Sequence, residues 1–549
     1  MDTVNPSSSS NTLRKSSQDK VNAINSTTTL TRPSPVFVDD KHEAGFETVR
    51  TSSDNDTLDE KQNSTKDLTT ALSLTGSESE GIEGPPAPLK DLILPTQHGR
   101  NDTTRELNRK LLLFNTRITY LQTIDVFFSV YRKMFAAIFI INLTAFIVFI
   151  AKNKGSPTLP NVKNAVSTNL LVSVMMRQEL VVNFLFDVAT SVPQSTPFVI
   201  RKKLAKVFHY GGVHSGCGVA AVVWFVGYTI LTTRDFVVNP THGLPAANFI
   251  TCYILILMFC FILTGAHPKF RVRFHNYFEA MHRFAGWTSF AILWVQTFIV
   301  AVHSAQTKHG NVGLELVSNP GFWTLCLSTF FIALSWARLR HREVEAEVLS
   351  SHATRLHFKY KYMLPLYGLK VSERPLLEWH AFATIPEPDG KGFSFVVSNA
   401  GDWTSRTISS PPKKLWTRGF PVHGPLYGAR LFRRRGIVLI ATGSGIGPCL
   451  SLLVDKKDPI PRRVFWSTRK PQVTYGQGII NSVLESDPKA VIWDTTEKGY
   501  PDIVMETYKL YVEMNAEAVY IVSNPKVTKK VVFGMESRGI AAYGPIFDS

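Results

Sequence analysis

The run Gly436-Ile-Val-Leu-Ile-Ala-Thr-Gly-Ser-Gly-Ile-Gly-Pro-Cys449 decides how the C-terminal part of the chain is read. Its apolar segment, Ile437 to Ala441, has no alternation and suits a strand buried on both faces. Gly443, Gly445 and Gly447 follow in a tight turn, and Pro448 stands where a helix would begin, a place where its missing N–H costs nothing. Glycines let a backbone approach a pyrophosphate closely, and a helix N-terminus offers it free N–H groups and a positive dipole end. Gly443, Gly445, Gly447 and Pro448 are therefore expected to form a phosphate-binding turn.

Downstream, apolar strands at Arg463 to Trp466, Val491 to Trp493 and Ala518 to Val522 alternate with helical stretches, which predicts an α/β nucleotide-binding domain with a mainly parallel sheet over 433–549. The second strand ends in Trp466-Ser-Thr-Arg469-Lys470. A fold preferring NAD sets an acidic residue there for the ribose 2′-OH, whereas Arg accommodates a 2′-phosphate. Ser467 and Arg469 thus favour NADPH, an ordinary solvated strand end being the alternative. Upstream, over 350–432, short alternating runs such as Arg355 to Tyr360 and Phe393 to Ser398 read as strands of an antiparallel barrel.

The region 130–340 changes solvent. Apolar segments at Met134 to Ala151, Ala165 to Phe186, Phe208 to Leu231, Ala247 to Ala266, His282 to Val302 and Gly321 to Arg338 each approach the ~20 residues that span a bilayer. They predict a six-helix transmembrane bundle, whose second helix carries Arg177 and Glu179, charges that must face inward or leave the lipid. Arg201, Lys202, Lys203 and Lys206 precede the third helix, and Lys269, Arg271, Arg273 and Arg283 cluster around the start of the fifth, while the opposite loops are poorer in cations. The positive-inside rule then places both termini in the cytosol. The formal charge of +17 is accounted for by such loops, and nucleic acid is not an expected partner. Only 19% of the 549 residues are charged and 36 are Phe, consistent with a lipid bilayer as partner. The five cysteines lie in apolar stretches and form no disulfide or zinc framework. In the first 80 residues 27 are Ser or Thr, so residues 1–105 are expected to be a disordered cytosolic arm.

Helices, barrel and glycine turn in this order resemble the ferric reductase and NADPH oxidase superfamily. Glu378-Trp-His-Ala-Phe-Ala-Thr384 is similar to its flavin motif, Ala400-Gly-Asp-Trp-Thr404 to its Gly-x-Trp-Thr turn, and Pro421-Val-His-Gly-Pro-Leu-Tyr-Gly428 to its FAD-phosphate loop. The resemblance implies a ferredoxin-reductase-like pair of domains binding FAD and NADPH. It also implies that His380, Phe382, Thr384, Trp403, Thr404 and Phe547 contact the flavin. Ala381 and Ser523 depart from the family pattern. Within the superfamily the Ser/Thr-rich arm and Met281-His-Arg-Phe-Ala-Gly-Trp287 resemble TmpA-type fungal membrane flavoproteins, linked to asexual sporulation (conidiation).

Two stacked haems would need two His on each of the third and fifth helices, about 20 Å apart. Fourteen residues after His209 stands Val223, and thirteen after His282 stands Val295, so an outer haem has no ligands. At most a single haem b, on His209 and His282, is expected. The expected function is a multi-pass plasma-membrane flavin oxidoreductase that takes hydride from NADPH to FAD and passes electrons to an unidentified acceptor. A non-catalytic nucleotide or flavin sensor in fungal development and a conventional metalloreductase are the alternatives.

Overall fold

The computed structural model describes residues 129–545 apart from 156 and 240–243; the N-terminal arm and Phe547 lie outside the described residues. Ten helices come first: α1 (Val130–Lys152), α2 (Leu159–Met175), α3 (Glu179–Thr190), α4 (Phe198–Leu204), α5 (Gly211–Val238), α6 (Ala246–Ala266), α7 (Pro268–Arg273), α8 (His275–Lys308), α9 (Val312–Val317) and α10 (Pro320–Ala337). Among the described residues α1, α5, α6, α8 and α10 are long and apolar enough to cross a membrane. Ile140, Ile141 and Ile147 of α1 and Ile250 and Leu257 of α6 point outward, the pattern of helices whose solvent is apolar.

The expected second span is corrected. Between Ala165 and Phe186 the chain is two helices, broken at Met176–Gln178. Gln178 caps α3, its Oε1 accepting from Leu180 N at 2.6 Å and Val181 N at 3.2 Å. Arg177 and Glu179 would be costly inside one continuous apolar helix, and the break sets both at the wall of a cavity described below. Beyond the break, α3 turns Val182 and Phe186 into a core shared with the C-terminal domains. Asn183 fastens it there, donating to the Pro421 carbonyl at 2.8 Å and accepting from His423 N at 2.9 Å.

Strands β1 (Arg340–Glu343), β2 (Glu345–Val348), β3 (Ala353–Phe358), β4 (Tyr367–Ser372), β5 (His380–Ala383), β6 (Ile385–Pro386) and β7 (Phe393–Ser398) follow, then α11 (Asp402–Ser409) and β8 (Lys414–His423). They pair antiparallel as two four-stranded sheets, β1-β8-β4-β5 and β2-β3-β7-β6, so the expected barrel is built as two sheets. Alternate residues of both, among them Leu356, Phe358, Leu369, Val371, Phe395 and Leu415, close over one core.

The last region holds β9 (Ile437–Thr442), α12 (Ile446–Leu453), β10 (Arg462–Thr468), α13 (Pro471–Ser486), β11 (Val491–Asp494), α14 (Thr495–Lys498), α15 (Ile503–Met514), β12 (Ala518–Val522), α16 (Pro525–Glu536) and β13 (Ala541–Tyr543). Its strands form one parallel sheet in the order β11-β10-β9-β12-β13. Strand order reverses between β9 and β12, the place where open α/β sheets leave a crevice for ligands.

The basic loop before α5 is clamped to this sheet domain. Arg201 and Glu517 form an ion pair at 2.7 Å with side chains 4% and 3% exposed, and Arg201 also donates to the carbonyls of Leu431 and Thr196. Lys206 pairs with Glu536 at 2.7 Å, and Tyr543 donates to the Lys202 carbonyl at 3.0 Å. These cations thus have a structural use in addition to any topological one. Breaking such a buried pair from one side costs about 3–5 kcal/mol, while replacing both partners by apolar groups is often neutral. Arg201→Met should therefore lower the melting temperature of the detergent-purified protein by several degrees, and Arg201→Met with Glu517→Leu should recover most of the loss; a double variant as unstable as the single one contradicts this account.

On the β2-β3-β7-β6 sheet, His357 sits between two carboxylates, Nδ1 2.9 Å from Glu387 and Nε2 3.1 Å from Glu347. The Glu387 hydrogen bond raises its pKa above the ordinary histidine value, against some burial. A raised folded-state pKa stabilises fully below the unfolded value of about 6.5 and stops doing so as pH climbs through the folded value. His357→Gln should then lower the melting temperature at pH 5.5 and much less at pH 8.5, as differential scanning at the two pH values would show.

Candidate functional site

The glycine turn is built from contacts on three sides. After Thr442, Gly443–Gly445 make one 3-10 turn and α12 starts at Ile446, with Pro448 in its first turn. The fully buried Trp466 of β10 donates from Nε1 to the Gly443 carbonyl at 3.0 Å. A Cβ at Gly445 would collide with the carbonyl oxygen of Val522, so only glycine lets the turn lie against the tip of β12. Thr442 and Ser523 hydroxyls, 2.5 Å apart, tie the tips of β9 and β12 together. Gly447 abuts Val396 of the antiparallel domain.

Ser467 is aligned with Thr442 across β9 and β10 and is buried. Arg469, just beyond β10, extends into solvent and donates to the Tyr500 hydroxyl at 3.1 Å, with Tyr500 80% exposed. Asp494 at the end of β11 accepts from Lys470 N at 3.1 Å, which fixes the loop carrying Arg469. The glycine turn, Ser467 and Arg469 therefore all stand at the carboxyl ends of neighbouring parallel strands.

Beside this edge lies a cavity of about 410 Å³. The antiparallel domain supplies Tyr367 to Lys370 of β4, Ala381 to Ala383 of β5, and the segment His423 to Leu426. The parallel-sheet domain supplies Pro448, Ser451, Val522, Gly544 and Pro545, and the helical region closes the third side with Arg177, Glu179 and Tyr210. Three lining atoms are buried without a hydrogen-bond partner, both ring nitrogens of His423 and the Tyr520 hydroxyl. Buried polar groups are rarely left so, and a polar ligand would satisfy them. His423 is stacked on Tyr427 at 3.6 Å, with the Tyr367 ring tilted against it at 4.2 Å and Nε2 3.3 Å from Asp187. Burial lowers its pKa, against the pull of Asp187. Tyr427, donating to the same carboxylate at 2.8 Å, is pushed up to about 12, chiefly by burial.

Of the flavin-motif residues, the structure brings Phe382 to this cavity, and Pro448 joins it from the glycine turn. Phe382 also stacks on Phe395 at 4.6 Å, within the core. His380 stacks on Trp403 at 4.2 Å, and Trp403 is 4% exposed in that core. The Thr384 hydroxyl donates to the Tyr367 carbonyl at 3.1 Å. Thr404 is engaged at the start of α11, where Oγ1 accepts from Ala400 N and Gly401 N, each at 2.9 Å. Alternation on β5 leaves two alanines, Ala381 and Ala383, at the cavity wall.

His209 and His282 are not brought together. His209 lies in a 3-10 turn ahead of α5, stacked on Phe208 at 4.3 Å and with Nδ1 3.0 Å from the Lys206 carbonyl. His214 is the residue that faces His282, ring centroids 6.2 Å apart, and its Nδ1 is 2.8 Å from the Ser173 carbonyl. Among the described residues no group of three or more His, Cys, Asp and Glu could hold a metal ion. Arg177, Glu179, Tyr210 and Lys370 are site residues that no motif singled out, whereas His423 lies within the Pro421–Gly428 loop quoted above. The charges at 177 and 179 were the available signal, as departures from an apolar run.

A family model described as the C-terminal domain of Adenylate-forming reductase 03009 matches residues 414–549. Two curated relatives are similar over most of the chain. Adenylate-forming reductase 03009 of Coprinopsis cinerea is 42% identical over 425 residues, and Adenylate-forming reductase 06235 of the same fungus is 41% identical over 426 residues. Each alignment covers 77% of this chain, which spans about 40% of the length of these relatives. Solved structures aligning with it include a Neisseria gonorrhoeae ferredoxin NADP+ reductase with bound FAD and NADP (TM-score 0.31, 11% identity, 38% of this chain and 98% of that one). A Malassezia yamatoensis flavohemoglobin with FAD and heme aligns at TM-score 0.34 and 13% identity, over 71% and 96% of the two chains. Those scores are too low to carry the fold, which rests on the strand order above. The resemblance to the ferric reductase and NADPH oxidase superfamily, and to TmpA-type proteins within it, is overturned by the two relatives: at 41–42% identity the chain is similar to proteins named adenylate-forming reductases, and a link to sporulation is not retained.

Proposed function

We propose that this chain is an NADPH-dependent flavin oxidoreductase, held in a membrane by its long apolar helices. The cavity carries the reading: it lies where an antiparallel domain meets the switch point of a parallel sheet, its volume is in the range of small-molecule sites, and it holds orphaned polar groups. The relatives' names join adenylate formation to reduction, and the reducing chemistry is the part assigned to this chain.

The residues present fit FAD. Ala381 and Ala383 leave a flat wall on β5, and a Cβ at Gly424 would meet nothing within 4 Å, so the loop leaves room beside the cavity. Bound there, FAD would supply a two-electron acceptor for the nicotinamide hydride. His423 and the Tyr520 hydroxyl would hydrogen-bond it, and the packing of Tyr367 and Tyr427 on His423 would fix the wall on which it rests. The glycine turn would receive the nicotinamide cofactor's pyrophosphate at the N-terminus of α12, and Arg469 with Tyr500 would meet the adenosine end.

Absorbance of the detergent-purified full chain tests the proposal. Flavin bands that bleach when NADPH is added without oxygen are expected; a protein that takes up no flavin, or flavin that NADPH leaves oxidised, would sink it. For cofactor choice, Arg469→Ala should raise the KM for NADPH about tenfold or more and leave that for NADH nearly unchanged, the loss of one charge-assisted bond to a phosphate being worth roughly 1.5–3 kcal/mol. Equal effects on the two nicotinamides would remove Arg469 from the 2′-phosphate site.

A further inference from the structure

Where the helical region meets the cavity, charge is poorly balanced. Lys370 of β4 and Arg177, in the break before α3, line the wall, and Arg418 of β8 stands close behind with its guanidinium 4.6 Å from both the Trp336 and Trp379 rings. The carboxylate that lines the cavity beside these three cations is Glu179, 3% exposed, and Glu279 also acts on Lys370 and Arg418. The neighbouring Glu279 is occupied by Arg283 at 3.4 Å. Glu179 cannot swing to a better position: Ser335 donates to it at 2.5 Å, and the backbone at Gly419 packs so closely that a Cβ there would strike its carboxylate. Lys370 Nζ remains 3.8 Å from Glu179, too far for a hydrogen bond, and 38% of its side chain stays accessible. Its ammonium is therefore available to whatever fills the cavity.

We propose that Lys370 sets the redox potential of the flavin, as the cation that favours the reduced, more negative form of the group bound against β4 and β5. This rests on the flavin reading above. A positive charge a few ångströms away in a partly desolvated site stabilises added negative charge far more than it would in water, and such neighbours tune flavin electronics. Lys370 is thus a positioning and tuning residue, with no bond to make or break itself.

Anaerobic redox titration of the flavin-loaded full chain tests this. Lys370→Met should shift the midpoint to more negative potential, the ratio of reduced to oxidised flavin at fixed potential falling tenfold or more, about 30 mV for a two-electron couple. Lys370→Arg should keep the wild-type midpoint. Glu179→Gln, which removes the facing negative charge and retains a partner for Ser335, should move the midpoint the opposite way, a readout that survives if Lys370→Met fails to fold. Flavin bound at an unchanged midpoint in Lys370→Met, or in Glu179→Gln, overturns the role of Lys370 and leaves the oxidoreductase reading standing. Wild-type protein that takes up no flavin overturns both.

Discussion

The helix break at Arg177, Gln178 and Glu179 shapes everything downstream of α2. The first helix stops at Met175, and Gln178 caps a new one. That second helix then has an apolar side with no lipid to face, and buries it against both C-terminal domains through Val182 and Phe186. Membrane-type helices and reductase-type domains thus become one packed body, and the cavity gains a third wall. Without the break the two C-terminal domains would enclose a two-sided cleft, and no carboxylate would stand opposite Lys370.

How much of this could be read from sequence depended on how local the cause was. The glycine turn was legible because strand, turn and helix follow within fourteen residues, and each residue type has its own backbone reason. The five long helices were legible because length and hydropathy are local too. The cavity was not, because its walls come from segments more than 300 residues apart, such as Arg177 and Pro545. On β5 the motif residues His380 and Phe382 share one face, as period-two alternation requires; that this face looks toward Trp403 and Phe395 depends on the packing of α11 and β7. Thr404 shows another limit: the same hydroxyl that could bond a ligand caps a helix, and no local pattern ranks the two uses.

The relatives narrow the chemistry and leave its setting to this chain's own residues. Their similarity covers most of the present sequence but well under half of theirs, so what is shared is one segment of proteins whose names include a further activity. In this chain one cavity is lined both by His423, packed against Tyr367 and Tyr427, and by the cations Arg177 and Lys370. Polarity across the pocket, more than any single motif, would decide how a bound ring system is oriented.

The clamp formed by Arg201 with Glu517 and by Lys206 with Glu536 holds the β12-β13 side of the parallel sheet to the loop that leads into α5. An enzyme that admits a cofactor must breathe somewhere, and this margin is stapled to the scaffold. The opposite margin, where β11, Arg469 and Tyr500 meet solvent, carries no such fastening to the helical region among the described residues. The sheet thus resembles a door hung on its β13 jamb, with its free leaf at β11.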